Sequence, residues 1–177
     1  MAGLPVLTSL GLSGNAIADL APLARVKNLS SLGLARNKVT DVTPLARVKK
    51  LSFLDLSNNK VSDLTPLAGL SSLSTLDVSE NGVVDVTPLA HLTQLGRLTL
   101  AGNSIGGPAP LRDLPTLSML NISRNRISDA TTFAGFAALE ELWVGGNPLT
   151  DVTPLADLAS LTGVDFEGTD LGTTAGV

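Results

Sequence analysis

Cysteine is absent from this chain of 177 residues, which excludes disulfide bonds and thiolate metal sites. Histidine is almost as scarce, because His91 is the only one. A general base at His91 would need a nucleophile or a carboxylate on the same side of the molecule, and the sequence supplies no such arrangement. We therefore expect no catalytic residues, no metal ligands and no cofactor, and the chain is not predicted to be an enzyme.

Aromatic residues make up only 3% of the chain, whereas apolar residues make up 44%. The core must therefore be built from Leu, Val, Ile and Ala, which is typical of a repeat architecture with one thin layer per unit. No apolar run approaches the roughly 18 residues of a membrane span, so no membrane insertion is expected. The start of the chain also lacks the pattern of a signal peptide. As it stands the chain would be cytoplasmic, and as a fragment of a longer precursor it would be secreted or displayed on a cell surface.

The net charge of −4 is unevenly distributed. Residues 1–60 carry a net charge of +5 and residues 61–177 a net charge of −9. Nucleic-acid binding would require a basic face with stacking aromatic rings, and no aromatic residue precedes Phe53, so no nucleic-acid partner is expected. We interpret the basic residues as a solvated flank; the alternative is a docking surface for an acidic partner or anionic lipid head groups. Those that recur on the back of the repeats are Arg25, Lys27, Arg47, Lys49 and Lys50.

A repeat of 22 residues runs through nearly the whole chain. Its pattern is L-x-x-L-x-L-x-x-N-x-[ILV], followed by D-x-T-P-L-A. Seven full units begin at about residue 7, and a partial eighth, in which Thr169 replaces the asparagine, reaches about residue 171. We predict a single repeat domain over residues 1–177. The repeated asparagines are Asn15, Asn37, Asn59, Asn81, Asn103, Asn125 and Asn147.

The spacing predicts a short strand in every unit, because alternate residues of L-x-L point to opposite faces of a strand. Leu10 and Leu12 are expected to point inward and Gly11 outward. One unit cannot bury its own apolar face, so units should stack with parallel strands about 4.8 Å apart. A column of asparagine amides, each bonded to the backbone of its own and the adjacent unit, would satisfy the polar groups at the inner turn.

The back of each unit is predicted to form a single helical or 3₁₀ turn. In Thr43–Pro44 and its equivalents, threonine is expected to be the N-cap and proline the first helical residue. The aspartate before each turn, such as Asp41, is expected to accept backbone N–H bonds.

Units 5 and 6 depart from this pattern. Pro108 and Pro110 in unit 5 favour an extended or polyproline entry to the turn. Unit 6 carries Phe133 and Phe136, which we interpret as filling space beside a flattened turn. The alternative is a bend or a lateral docking site on the back of the molecule.

These motifs resemble the leucine-rich-repeat family, in particular its 22-residue class. The D-[VL]-T-P-L-A segment, as in Asp41–Ala46 and Asp63–Ala68, is most similar to internalin-type bacterial surface proteins and next to phosphatase-regulatory proteins with 22-residue repeats. The resemblance implies an α/β solenoid, curved like a horseshoe, with parallel β-strands on the concave face and short helical or 3₁₀ turns on the convex face. It also implies a bacterial source and protein partners held on the concave face. The helical cap and immunoglobulin-like domain that flank internalin-type repeats are not visible in this sequence.

Bulky or charged residues at outward strand positions are the candidate contact residues, because most units place Ser, Gly or Ala there. Interface hot spots are rich in Trp, Tyr and Arg. Arg97, Met119 and the single tryptophan, Trp143, fall on three successive strands and are predicted to form the centre of a patch within roughly 10–12 Å. The alternative is that each is an ordinary surface residue. The predicted partner-binding residues are Phe53, Asp55, Asp77, Arg97, Met119, Asn121, Arg124, Glu141 and Trp143, with Glu80 and Glu140 as further off-pattern positions.

The sequence thus predicts a protein-binding module that recognises a macromolecular partner on its concave face. The alternative is a structural or assembly module that self-associates, as a weak homo-oligomer, through poorly capped ends. Only Met1–Val6 precede the first unit, with Leu4 and Val6 apolar, and only residues 172–177 follow the last. Open strand edges and uncapped core ends favour pairing with another chain.

Overall fold

Eight three-residue strands lie side by side in one parallel sheet, and their order in the sheet is their order in the chain. The computed structural model describes residues 6–171. The strands are β1 (Ser9–Gly11), β2 (Ser31–Gly33), β3 (Phe53–Asp55), β4 (Thr75–Asp77), β5 (Arg97–Thr99), β6 (Met119–Asn121), β7 (Glu141–Trp143) and β8 (Gly163–Asp165).

Each strand pairs with the next at an offset of one repeat, so that Leu32 pairs with Leu54 and Leu54 with Leu76. The middle residue is buried from β2 to β7, and the residues on either side of it face outward. The predicted alternation is confirmed. In β1, Leu10 and Leu12 are only half-buried, because within the described residues no unit packs against their other side.

Seven 3₁₀ helices lie between the strands and confirm the single turn predicted for the back of each unit. Their short length follows from the repeat, since only 15 residues separate Asn37 from the next strand, which begins at Phe53. They are η1 (Ala21–Arg25), η2 (Thr43–Arg47), η3 (Thr65–Leu67), η4 (Thr87–Leu89), η5 (Ala109–Leu111), η6 (Ala130–Phe133) and η7 (Thr153–Asp157).

The prediction that threonine is the N-cap and proline the first helical residue is wrong, because in η2, η3, η4 and η7 threonine is the first residue of the turn and proline the second. In η2 the N-cap residue is Val42, and no side chain caps the turn from that position. The N–H of Thr43 instead donates to Oδ1 of Asp41 at 2.8 Å, as expected for the aspartate series. In five of the units, the carboxyl group of the aspartate before the turn has a pKa below its usual value of 3.8. The main cause is a hydrogen bond from the hydroxyl of the threonine two residues further on, and the second cause is a hydrogen bond from the N–H of the same threonine. These carboxyl groups belong to Asp41, Asp63, Asp85, Asp129 and Asp151.

The extended entry predicted for unit 5 is also wrong. Pro108 has φ −90° and ψ 7° and leads directly into η5, with Pro110 at the helical position that proline holds in the regular units. Pro108 is buried, and it lies one repeat after the buried Val86. Packing of this position in the core therefore carries the chain into the same turn as in the neighbouring units.

Phe133 and Phe136 belong to the core, with 0% and 3% of their surface exposed. Their ring centroids lie 6.2 Å apart, and the ring planes are tilted by 50°. This distance lies in the usual range for a pair of packed aromatic rings. The interpretation that they fill space is confirmed. Among the described residues of unit 6, these rings therefore offer no lateral docking surface on the back of the molecule.

The asparagines form the predicted ladder between units. In the third unit, Nδ2 of Asn59 donates to the carbonyl of Leu56 at 2.9 Å and to that of Leu34, in the preceding unit, at 2.9 Å. Its Oδ1 accepts the N–H of Val39 at 2.9 Å. From Asn37 to Asn147, each amide therefore holds two consecutive units together through their backbones.

The apolar core is open at both ends of the described chain. At the N-terminal end Leu7 and Ile17 are only half-buried, and Leu4 lies outside the described residues. At the C-terminal end Val164 is 42% exposed. Residues 172–177, which the sequence places after the last unit, also lie outside the described part. Across residues 6–171, no helix is long and apolar enough to cross a membrane.

Candidate partner-binding face

The outward strand residues form two parallel columns on one surface, which we call the strand face. The register places equivalent positions of all eight strands in line. The entry column, formed by the first residue of each strand, contains Ser9, Ser31, Phe53, Thr75, Arg97, Met119, Glu141 and Gly163. The exit column, formed by the last residue, contains Gly11, Gly33, Asp55, Asp77, Thr99, Asn121, Trp143 and Asp165.

Of the three residues predicted as the patch centre, Arg97 and Met119 lie in the entry column and Trp143 lies in the exit column. Arg97 is in register with Met119, and Met119 is in register with Glu141 rather than with Trp143. Trp143 is in register with Asn121. From a strand spacing of about 4.8 Å and a rise of about 3.3 Å per residue, Trp143 lies diagonally about 8 Å from Met119. The row Arg97–Met119–Glu141, flanked by Trp143, is thus continuous along the sheet.

Three of the predicted contact residues hold the backbone where their strands end. Oδ1 of Asp55 accepts the N–H of Ser57 at 2.9 Å and its hydroxyl at 2.7 Å. Oδ1 of Asp77 and Oδ1 of Asn121 accept the same pair of bonds from the serine two residues further on. These are Asx turns, which fix the exit from the strand. The sequence signal for them is a serine two residues after the acidic or amide residue.

Arg124 forms an ion pair with Glu80 across two units, and the sequence analysis did not pair these residues. Both belong to the column of residues before each asparagine, whose φ values are positive. The intervening member is Gly102, with φ +67°; a Cβ there would lie 2.5 Å from Oε1 of Glu80. Glycine at this position therefore serves both the backbone conformation and the room for the pair. The ion pair is largely exposed and contributes little to stability.

Phe53 stands apart from the others. It is 41% exposed, and its neighbours in the entry column are Ser31 and Thr75. Arg97, by contrast, is followed by Met119 and Glu141 on adjacent strands. The structure thus brings together the residues of β5 to β7 and leaves Phe53 as a single exposed ring.

A shallow depression of about 270 Å³ opens between β7 and β8. It is lined by Glu141 and Trp143 on one strand and by Gly163 and Asp165 on the other. Gly163 provides no side chain in the entry column, so the surface falls away beside Glu141. This depression adjoins the predicted patch, and the sequence analysis did not anticipate it.

The described part of the chain contains no candidate metal site. His91 is exposed on the back of unit 4. Over residues 6–171, no group of three or more His, Asp or Glu side chains is placed to hold a metal ion.

A family model matches more than half of the chain. Residues 10–107 match the leucine-rich-repeat part of leucine-rich repeat and WD repeat-containing protein 1. The chain belongs to the leucine-rich-repeat family. The repeats of this leucine-rich-repeat protein are of the internalin-like type, as two further comparisons show.

Internalin C2 of Listeria monocytogenes is 35% identical, with a TM-score of 0.88 over 93% of this chain and 73% of that chain. An internalin (inlF) of the same species is 33% identical, with a TM-score of 0.75 over 95% of this chain and 56% of that chain. The plant peptide hormone receptor RGFR1 in complex with RGF2 is 23% identical, with a TM-score of 0.77 over 93% of this chain and 29% of that chain, a likeness that shows the fold alone. No curated protein matches the sequence. Leucine-rich-repeat proteins are generally non-enzymatic scaffolds that commonly bind proteins.

Proposed function

We propose that this leucine-rich-repeat protein is a non-catalytic module that recognises a protein partner on its strand face. The observation that carries the proposal is the continuous row Arg97–Met119–Glu141 with Trp143 beside it. The same two columns hold only Ser and Gly in β1 and β2. Large side chains therefore accumulate on one part of a face whose backbone is otherwise uniform, and Trp and Arg are the residue types enriched in interface hot spots.

The basic flank on the back of the molecule supports the proposal less than the strand face does. The basic side chains of Arg25 and Arg47 lie in the last turns of η1 and η2, on the opposite side of the molecule from the strand face. Lys49 donates to the carbonyl of Gly69 at 3.0 Å. This flank presents no aromatic ring for stacking on bases, so the proposal includes neither nucleic acid nor a cofactor.

The test is a capture experiment with a matched pair of double variants. The protein is immobilised and exposed to a displayed library of random peptides, and the retained binders are titrated against each variant. Trp143→Ala with Arg97→Ala removes one end of the row and the ring beside it, and Lys27→Ala with Arg47→Ala removes two exposed side chains from the back. Loss of a hot-spot side chain costs about 2 kcal/mol or more, so binding should weaken at least about tenfold in the first variant alone. Equal affinity for both variants would remove the strand face from consideration.

A second candidate function, end-to-end assembly, is favoured by the apolar surface that is exposed at the C-terminal end of the described chain. An apolar depression of about 330 Å³ there is lined by residues such as Leu155, Leu161, Val164 and Phe166. Residues 1–60, with a net charge of +5, and residues 61–177, with a net charge of −9, are complementary in charge. Light scattering at 50 mM and 500 mM salt tests this function. A monomer of unchanged mass at all protein concentrations and at both salt concentrations contradicts it.

A further inference from the structure

We propose that the depression between β7 and β8 binds a lysine or arginine side chain from an extended segment of the partner. This inference rests on the proposed function, because it assigns a chemical class to the partner of the strand face. The first observation is that residue 163 has no side chain, because it is a glycine. Gly163 is the one glycine in the entry column, and its absent side chain opens the depression beside Glu141.

The scaffold itself does not require glycine at residue 163. Its φ lies outside the positive range that excludes other residues. A Cβ built on Gly163 would meet only Cγ of Glu141, at an ordinary contact distance of 3.9 Å. The equivalent residues of the preceding strands, Glu141 and Met119, are large. Neither backbone strain nor packing thus explains why residue 163 is a glycine. The room that the glycine leaves for a side chain of the partner does explain it.

The lining of the depression carries negative charge that the protein does not neutralise. Glu141 and Asp165 stand on its two sides, and within residues 6–171 neither forms a salt bridge. Asp165 uses Oδ1 to accept the N–H of Glu167 at 2.8 Å. Beyond Arg126 the chain holds eight acidic residues and no lysine or arginine. An incoming cation therefore meets an uncompensated negative field at this end of the strand face.

Trp143 adds an aromatic wall to this acidic lining. An indole attracts a lysine ammonium or an arginine guanidinium through its negative face, and the apolar stem of either side chain can lie along the ring. An apolar side chain would desolvate the carboxylates without compensation, and an acidic one would be repelled. A bare metal ion does not fit, because the described chain has no set of three ligands for one.

An adjoining depression indicates the direction of the bound segment. It is lined by Ser123, Arg124, Asp165, Glu167 and the glycines 145, 146 and 168, and it shares Asp165 with the first. The guanidinium of Arg124 is already paired with Glu80, so the two carboxylates of this depression have no partner in a salt bridge among residues 6–171. Residues i and i+2 of an extended chain lie on one side, about 6.7 Å apart. A segment with two basic residues at this spacing would place the first beside Trp143 and the second beside Glu167.

Tryptophan fluorescence provides the assay, because Trp143 is the only tryptophan. The probe is the peptide acetyl-Gly-Ser-Arg-Ser-Arg-Ser-Gly-amide, compared with versions that carry Glu or Ala in place of both arginines. The arginine peptide is expected to change the emission of Trp143 in a saturable way and to bind more weakly at 500 mM than at 50 mM salt. The other two peptides are expected to leave the emission unchanged. No saturable change with the arginine peptide, or the same change with all three peptides, would overturn the proposal.

Four substitutions make the test specific. Gly163→Val fills the depression and should weaken binding at least about tenfold. Glu141→Gln and Asp165→Asn keep the shape, and the asparagine retains the acceptor for Glu167; each should weaken binding about two- to fivefold. Glu140→Gln removes the same charge from an exposed neighbour that does not line the depression, and it should have a smaller effect than Glu141→Gln. Equal effects of these two substitutions, or full binding by a folded Gly163→Val variant, would contradict the inference.

The two proposals fail separately. If captured peptides depend on Trp143 and Arg97 but basic residues confer no binding, the strand face remains the interface and the depression is not its basic-residue site. If the arginine peptide binds but library binders are insensitive to the Trp143/Arg97 substitution, the depression acts independently of the row.

Discussion

Replacement of Asn125 by alanine tests the asparagine ladder at one of its buried members. Only 8% of Asn125 is exposed. Its Nδ2 donates to the carbonyl of Leu100 at 2.9 Å and to that of Ile122 at 3.0 Å, and its Oδ1 accepts the N–H of Ile105 at 2.9 Å. The variant leaves this buried N–H without an acceptor, at a cost of about 1–3 kcal/mol, and removes donors from the carbonyls. With the small cavity added, we expect a total loss of about 3–5 kcal/mol in the free energy of unfolding.

The first unit supplies the matched control. Asn15 has the same place in the repeat but is exposed, and within residues 6–171 its side chain bonds only to carbonyls of its own unit, at 2.9 Å and 3.3 Å. Water can replace it, so Asn15→Ala should cost under about 1 kcal/mol. Urea unfolding followed by circular dichroism gives the free energies, and Trp143 fluorescence checks that the C-terminal units unfold in the same transition. Equal costs for the two variants would show that the bonds between units do not stabilise the solenoid.

Three further predictions concern a turn, the core and the pH dependence. Gly102→Ala should lower the free energy of unfolding by about 1–2 kcal/mol, because φ is positive at this residue and the new Cβ would meet Glu80. Gly106→Ala is the control, since its Cβ would enter open space, and it should leave the free energy nearly unchanged in the same urea titration. Phe133→Ala should cost about 3–5 kcal/mol by calorimetry, and Phe53→Ala, at a 41% exposed site, much less; similar melting temperatures for both would contradict the assigned burial. The lowered pKa values of the five aspartates that precede the turns make the folded state bind protons less readily than the unfolded state. Their stabilisation is therefore complete above the unfolded pKa of about 3.8 and is lost as pH falls through the lower folded values. Melting temperatures should thus fall below about pH 4, and replacement of all five by asparagine should flatten that fall.

The sequence predicts the repeat-level features well because one geometric condition determines them. A residue such as Leu54 must be buried in every unit, and the period of 22 then specifies the strand, the outward columns and the asparagine ladder together. The contacts that set the inner turn also follow from composition, since an amide such as Asn59 has the donors and the acceptor that two adjacent backbones need. These features can be predicted because each repeat unit packs against units of the same sequence pattern.

The errors occur where two local interactions compete. Both Asp41 and Thr43 are good capping residues, and spacing alone does not show that the turn already starts at Thr43. At Pro108 the local preference for extended backbone is overcome by burial in the core. The contact between Glu80 and Arg124 joins residues that are 44 positions apart in the chain, so no local sequence pattern predicts it.

The candidate site is predicted less completely than the fold. The outward positions of Arg97, Met119 and Trp143 follow from the alternation, but the register shows that Glu141, not Trp143, continues the row. The depression could not be deduced, because it depends on the absence of a side chain at Gly163 beside particular neighbours. Whether these residues bind a partner remains a prediction.

The constant register also determines how this molecule can change in length. Because every strand pairs with the next at the same offset, removal or duplication of 22 consecutive residues recreates the same junction between units. Unequal recombination within the gene can therefore lengthen or shorten the strand face by whole strands while the architecture is retained. A deletion or duplication between Glu80 and Arg124 would separate the two members of the ion pair that passes over Gly102. Because this pair is largely exposed, its loss should cost little, and these three units are expected to tolerate such changes as the others do.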